Sequence, residues 1–212
     1  MNTKPYEPQL GKAYGMTDPV DATRSALLLM DFQNGVVPML GDDATAPLLE
    51  RARTTIATVR ERCGHVAYVR VGFADGEPPA GGMGSRIGDR LAEMHADSPA
   101  TQIDSRIAPQ DGDIVVRKTR VGPFGTTDLD EQLRARGVDT LLMCGIATSG
   151  CVLSAVRDGH DRDYRIVVVS DLCADRDQEI HDFLMQRIFT RQAEVVTAVE
   201  LGALLAPLRR PI

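Results

Sequence analysis

Six short apolar runs, separated by segments of helical character, constrain this chain more than any other feature. They are "SALLLMD" (25–31), "HVAYVRV" (65–71), "DIVVRK" (113–118), "DTLLMCG" (139–145), "YRIVVVSD" (164–171) and "AEVVTAV" (193–199). Each is β-branched or Leu-rich and nearly continuous. A strand with one wet face alternates apolar and polar residues, whereas a strand covered on both faces does not, so these runs fit a parallel sheet. Between them, "APLLERARTTIATVRERCG" carries Leu48, Leu49, Ala52, Ile56 and Val59 on one helical stripe and closes at Gly64. "TTDLDEQLRARG" opens with a hydroxyl cap and early acids and ends on basic residues and Gly137, which suits the helix dipole. "TSGCVLSAVRDGHDRD" and "DQEIHDFLMQRIFTRQ" follow the same logic. Strand alternating with helix predicts an α/β chain with a doubly wound sheet.

The chain of 212 residues fits one domain, 1–212, with an extended N-terminal arm over 1–22. Residues 72–112 form a Gly-, Pro- and Asp-rich insert after the second run, with one short helix expected at 86–94. A long irregular insert after a strand usually covers a site, and disorder is the alternative reading of this composition. The net charge of −6, without a Lys/Arg cluster to offset it, argues against nucleic acid as a partner. No apolar run reaches the ~18 residues of a membrane span, and the first twenty residues show no secretory signal. The four cysteines have no CxxC spacing, which opposes structural zinc and a disulfide framework and predicts reduced thiols in the cytoplasm.

Ligands of open parallel sheets bind beyond the carboxyl ends of the strands. There the first run ends at Asp31, the third at Lys118, the fourth at Cys144–Gly145 and the fifth at Asp171; Cys151 follows the fourth at a helix start. Taken singly, these are a turn former, a solvated end and a small buried thiol. Together on one rim they are the parts of covalent catalysis at a carbonyl. A helix start and a nearby ammonium favour a thiolate at Cys151. Gly145 and Gly150 let the backbone approach a ligand, and Asp31 can move protons. Cys63 and Cys144 read as core residues, and Cys173 as a residue that borders the pocket or is incidental. His181 reads as a residue of a solvated helix face. The glycines of "GGMGSRIG" (81–88) stand deep in the insert, away from the tight strand-to-helix turn that a dinucleotide site needs.

"ALLLMDFQNG" and "VRKTRVGPFGTTDLDEQLRARGVDTLLMCGIATSGCV", with Gly-x-x-Thr-x-x-Cys intact from Gly145 to Cys151, resemble the isochorismatase-like cysteine hydrolase superfamily from about Ser25 to Val199. The resemblance implies a three-layer α/β/α fold with a six-stranded parallel sheet and a catalytic triad of Asp31, Lys118 and Cys151. It further implies a cis peptide between Ile146 and Ala147, an oxyanion hole from the N–H groups of Ala147 and Cys151, and a substrate pocket flanked by Phe32, Gln33 and Phe124. Nicotinamidase-type members carry an Asp-x-His-x-x-His metal cluster after the second strand. This chain has only His65 and His95 there, so neither a metal nor another cofactor is expected. The function so implied is hydrolysis of a C–N bond (amide, ureido or carbamoyl) in a small molecule through a thioester, in a homodimer or homotetramer. The alternatives are vinyl-ether hydrolysis with Asp31 as acid, and a non-catalytic ligand-binding relative.

Overall fold

The computed structural model of the protein describes residues 19–77 and 93–205. Residues 1–18 of the expected arm, the glycines of 81–88 and most of the helix expected at 86–94 lie outside the described residues. Six strands, β1 (Ser25–Met30), β2 (His65–Val71), β3 (Ile114–Lys118), β4 (Thr140–Ile146), β5 (Arg165–Ala174) and β6 (Glu194–Val196), form one sheet. Its order is β3-β2-β1-β4-β5-β6 and every neighbouring pair is parallel. All residues of β1 and β4 are buried, as their unbroken apolar runs predict.

The helices are α1 (Asp42–Glu61), α2 (Leu129–Ala135), α3 (Leu153–Asp161), α4 (Gln178–Phe183) and α5 (Ala198–Leu204). Chain progress reverses between β1 and β4: β1 is followed by β2 on one side, and β4 by β5 on the other. Right-handed crossovers therefore put α1 and α3 on opposite faces of the sheet. Helix α1 buries the predicted stripe of Leu48, Leu49, Ala52, Ile56 and Val59 and touches α5. Helices α2 and α3 are joined by Arg162, whose guanidinium reaches Asp130 at 3.1 Å and Asp158 at 2.8 Å. The crevice between the ends of β1 and β4 is the switch point of the sheet.

Three expected boundaries move. The fifth strand continues past Asp171 to Ala174: Met143 pairs with Val168 but Gly145 pairs with Cys173, so β5 takes up extra residues opposite β4. Asp171 consequently turns away from the strand ends, accepting from the Ala198 N–H at 2.8 Å and pairing with Arg51. The sixth run stops at Val196, because Thr197 and Glu200 form a capping box and start α5. At the amino end, Val20 is fully buried and bridges Leu205, and Ala22–Arg24 form a 3-10 turn, so the last residues of the expected extended arm belong to the body of the fold.

Candidate active site

Asp31 follows the last residue of β1 and adopts a left-handed backbone, φ 62°. Its N–H donates to the Val69 carbonyl of β2 at 2.8 Å. Asp is among the few non-glycine residues that tolerate this region, and such conformations concentrate at functional sites. Lys118, the last residue of β3, extends across β2. Its Nζ donates to Asp31 Oδ2 at 2.7 Å and to the Val121 carbonyl at 2.8 Å. Both partners are deep, with side-chain exposures of 2% and 11%. The other carboxylate oxygen, Asp31 Oδ1, is buried away from any N–H donor, and the Cys151 thiol stands within hydrogen-bonding influence of this carboxylate.

Cys151 reaches the same crevice from the far side. The Ile146–Ala147 peptide is cis, and Thr148–Val152 then makes a π-helical turn that leads into α3. Three donors converge on the Ala147 carbonyl: the N–H groups of Gly150 (3.1 Å) and Val152 (3.4 Å), and Cys151 Sγ (3.5 Å). Gly145 is the floor under the sulfur. A Cβ there would lie 3.1 Å from Cys151 Sγ and 2.9 Å from the Met30 carbonyl oxygen, so only glycine lets the thiol sit against the junction of β1 and β4. Val121, whose carbonyl holds Lys118, also stands over Gly150.

The electrostatics differ from the expected resting thiolate. Burial pushes the Cys151 thiol well above its usual range; the negative charge of Asp31 adds to this, and the ammonium of Lys118 opposes it. Burial likewise raises Asp31, against the lowering influence of Lys118 and of Cys151. Burial thus works against the helix start and Lys118, both of which favour a negative sulfur. A neutral thiol beside one carboxylate and one ammonium leaves the cluster with no net charge.

The expected pocket residues have other partners. Gln33 is 1% exposed; its Nε2 donates to the carbonyls of Val71 (2.8 Å) and Thr101 (2.9 Å), and its Oε1 accepts from the Val71 N–H (2.8 Å). With both amide hydrogens used, it is a strut between β1, β2 and the insert rather than a donor to a ligand. Phe124 turns into the helix layer, stacked on Tyr164 at 6.3 Å with the Arg162 guanidinium 5.1 Å from its ring centre. Phe32 is fully buried in the core. Cys173 is buried next to Gly145, close enough to act on Cys151, and burial pushes its thiol up to about 12.

Two residues escaped sequence reasoning. His181, expected on a solvated face, is half-buried, and its Nδ1 lies 2.8 Å from the hydroxyl of the fully buried Thr148. Asp175 Oδ2 accepts from the Ser149 N–H at 2.7 Å. Only the acid-rich start of α4 signalled a cap there; nothing in the spacing linked it to the turn at 148–152. Among the described residues, no group of three or more His, Cys, Asp and Glu could hold a metal ion, and no helix is long and apolar enough to cross a membrane.

Comparison with known proteins agrees with this architecture. The Isochorismatase domain model matches residues 25–200. An uncharacterised isochorismatase family protein of Bacillus subtilis, YwoC, is 33% identical over 190 residues, 85% of this chain and 94% of its own. The ureidoacrylate amidohydrolase RutB of Methylorubrum extorquens is 33% identical over 173 residues, 71% of this chain and 70% of its own. The crystal structure of a cysteine hydrolase from Pseudomonas syringae superposes with a TM-score of 0.79 at 25% identity, covering 87% of this chain and 93% of that one. With a family model spanning residues 25–200 and a relative 33% identical over 94% of its own length, the chain belongs to the isochorismatase family of the cysteine hydrolase superfamily.

Proposed function

We propose that the protein hydrolyses a C–N bond of a small amide, ureido or carbamoyl compound, with Cys151 as nucleophile, Asp31 as proton carrier and Lys118 as the fixed positive charge. The observation that carries this reading is the buried Asp31 carboxylate, held by Lys118 Nζ on one oxygen and facing the Cys151 thiol. A buried carboxylate oxygen facing a thiol is placed to accept its proton. Here the thiol proton can be taken up. Transfer from Cys151 Sγ to Asp31 Oδ1 turns a carboxylate and a thiol into an acid and a thiolate. The net charge of the dry cluster is unchanged, and Lys118 keeps a negative partner nearby throughout.

The thiolate then attacks the substrate carbonyl. A C–S bond forms, and the carbonyl electrons move to an oxyanion held by the N–H groups of Ala147 and Cys151. Collapse of that intermediate breaks the C–N bond while Asp31 returns its proton to the leaving nitrogen. Asp31, again a carboxylate, draws a proton from water that attacks the thioester; the C–S bond breaks and Sγ recovers a proton. The similarity to an amidohydrolase, RutB, supports the bond type. The chemistry fits a cytoplasmic enzyme, where the four free thiols stay reduced.

The test is a screen of small amides, ureides and carbamoyl amino acids for ammonia release, with Cys151→Ala as the blank. Ammonia release that needs Cys151 is the expected result. Full activity of Cys151→Ala, or turnover confined to vinyl ethers, overturns the reading.

A further inference from the structure

We infer that His181 is a positioning residue: through its contact with Thr148 it holds the turn that carries Ala147 and Cys151 in the shape acyl transfer needs. This rests on the C–N hydrolase reading and extends it to a second strand end. The turn at Thr148–Val152 is π-helical, wider than an α-turn, and such turns are rare and gather at functional sites. Two side-chain hydrogen bonds to this turn come from one neighbouring segment, 175–181. Thr148 is fully buried, and its hydroxyl meets His181 Nδ1 at 2.8 Å. The next N–H, of Ser149, is taken by Asp175 Oδ2 at 2.7 Å. Asp175 and His181 are themselves linked: Asp175 Oδ1 accepts from the Asp177 N–H at 3.4 Å, and the Asp177 side chain caps α4 by accepting from Ile180 N–H at 3.1 Å. Leu184 and Met185, buried just beyond α4, anchor its far end. Two adjacent residues between Ala147 and Cys151 are thus gripped by a rigid clamp, one by its side chain and one by its backbone.

A hydroxyl-to-imidazole contact has a direct mimic. Asparagine presents an amide close to where the histidine Nδ1 stands, and it keeps a hydrogen-bonding group for Thr148 without the ring. The clamp is therefore separable from mere bulk at position 181.

The experiment measures kcat and KM for ammonia release, and the rate of Cys151 alkylation by iodoacetamide. The proteins are wild type, His181→Ala, His181→Asn, Thr148→Val and the His181→Ala/Thr148→Val double variant. His181→Ala and Thr148→Val are each expected to lower kcat about ten- to a hundredfold with little change in KM, the effect of a small misplacement of reacting groups. The double variant should be no worse than either single one, and His181→Asn should recover most of the loss. Alkylation should move the other way, several-fold faster in His181→Ala and Thr148→Val, because a loosened turn admits water to a sulfur that burial holds protonated; His181→Asn should match wild type. An unchanged kcat in His181→Ala, losses that multiply in the double variant, or an Asn variant as poor as Ala would overturn the inference. If wild type hydrolyses nothing in the screen, the C–N reading fails by itself. The alkylation rates then still decide on His181, and equal rates in all five proteins refute it.

Discussion

Lys118 Nζ and Asp31 Oδ2, 87 residues apart in sequence, are 2.7 Å apart in space and almost wholly shielded from water. Removing one member of such a pair strands a buried charge and destabilises by about 3–5 kcal/mol, whereas replacing both can be nearly neutral. Lys118→Met should therefore lower the unfolding free energy by about 3 kcal/mol or more in urea titration. The Lys118→Met/Asp31→Asn double variant should recover much of that loss while remaining inactive. Additive losses would mean that the two groups do not interact as a pair.

A thiol raised by burial and by a neighbouring carboxylate reacts slowly at neutral pH. The rate of Cys151 alkylation by iodoacetamide should rise about tenfold per pH unit through pH 8 and show no plateau by pH 9, since only the thiolate attacks. A plateau near pH 7 would identify a stored thiolate instead. Asp31→Asn, which removes the negative neighbour, should shift the whole profile toward lower pH.

Gly145 lies where sheet, sulfur and carboxylate converge. In Gly145→Ala the new Cβ would meet the Met30 carbonyl oxygen at 2.9 Å, a backbone atom held in the sheet, and Cys151 Sγ at 3.1 Å. Overpacking of this kind costs about 1–3 kcal/mol. Because the sulfur is the softer obstacle, activity should fall further than stability. A variant with wild-type kcat and melting temperature would contradict the packing described here.

Thr197 begins the final helix through a reciprocal cap, its hydroxyl accepting from the Glu200 N–H while Glu200 Oε2 accepts from the Thr197 N–H at 2.7 Å. Thr197→Ala should reduce stability by about 1 kcal/mol without altering turnover. This variant also serves as a check that a modest loss of stability alone does not change catalysis.

The central sheet was legible because β1 and β4 are dry on both faces, and continuous burial writes itself as continuous apolar sequence. The parallel, doubly wound sheet and the convergence of Asp31, Lys118 and Cys151 on one rim follow from alternation and from the family resemblance; the strand order does not. What escaped reading is long-range or decided by competition. Val195, Val196, Ala198 and Val199 look like one strand until the Thr197–Glu200 cap is weighed against it, and Val199 in fact stands 84% exposed. Phe124 sits in a glycine-flanked loop where either direction is open; Tyr164 and Arg162, distant in sequence, choose for it. The ionisation of Cys151 depends on how dry the site is, a property of the folded whole. His181 and Thr148 are separated by 33 positions and share no periodic pattern.

Gln33 ties the carbonyl of Thr101 to both backbone groups of Val71, and it stands two residues after Asp31. The insert around Thr101 and the chain that carries Asp31 therefore hang from one amide. Rewriting residues 93–104 would tug on Asp31 as well, so changes in that segment are expected to disturb the Asp31–Lys118 pair unless Gln33 and its three bonds are preserved.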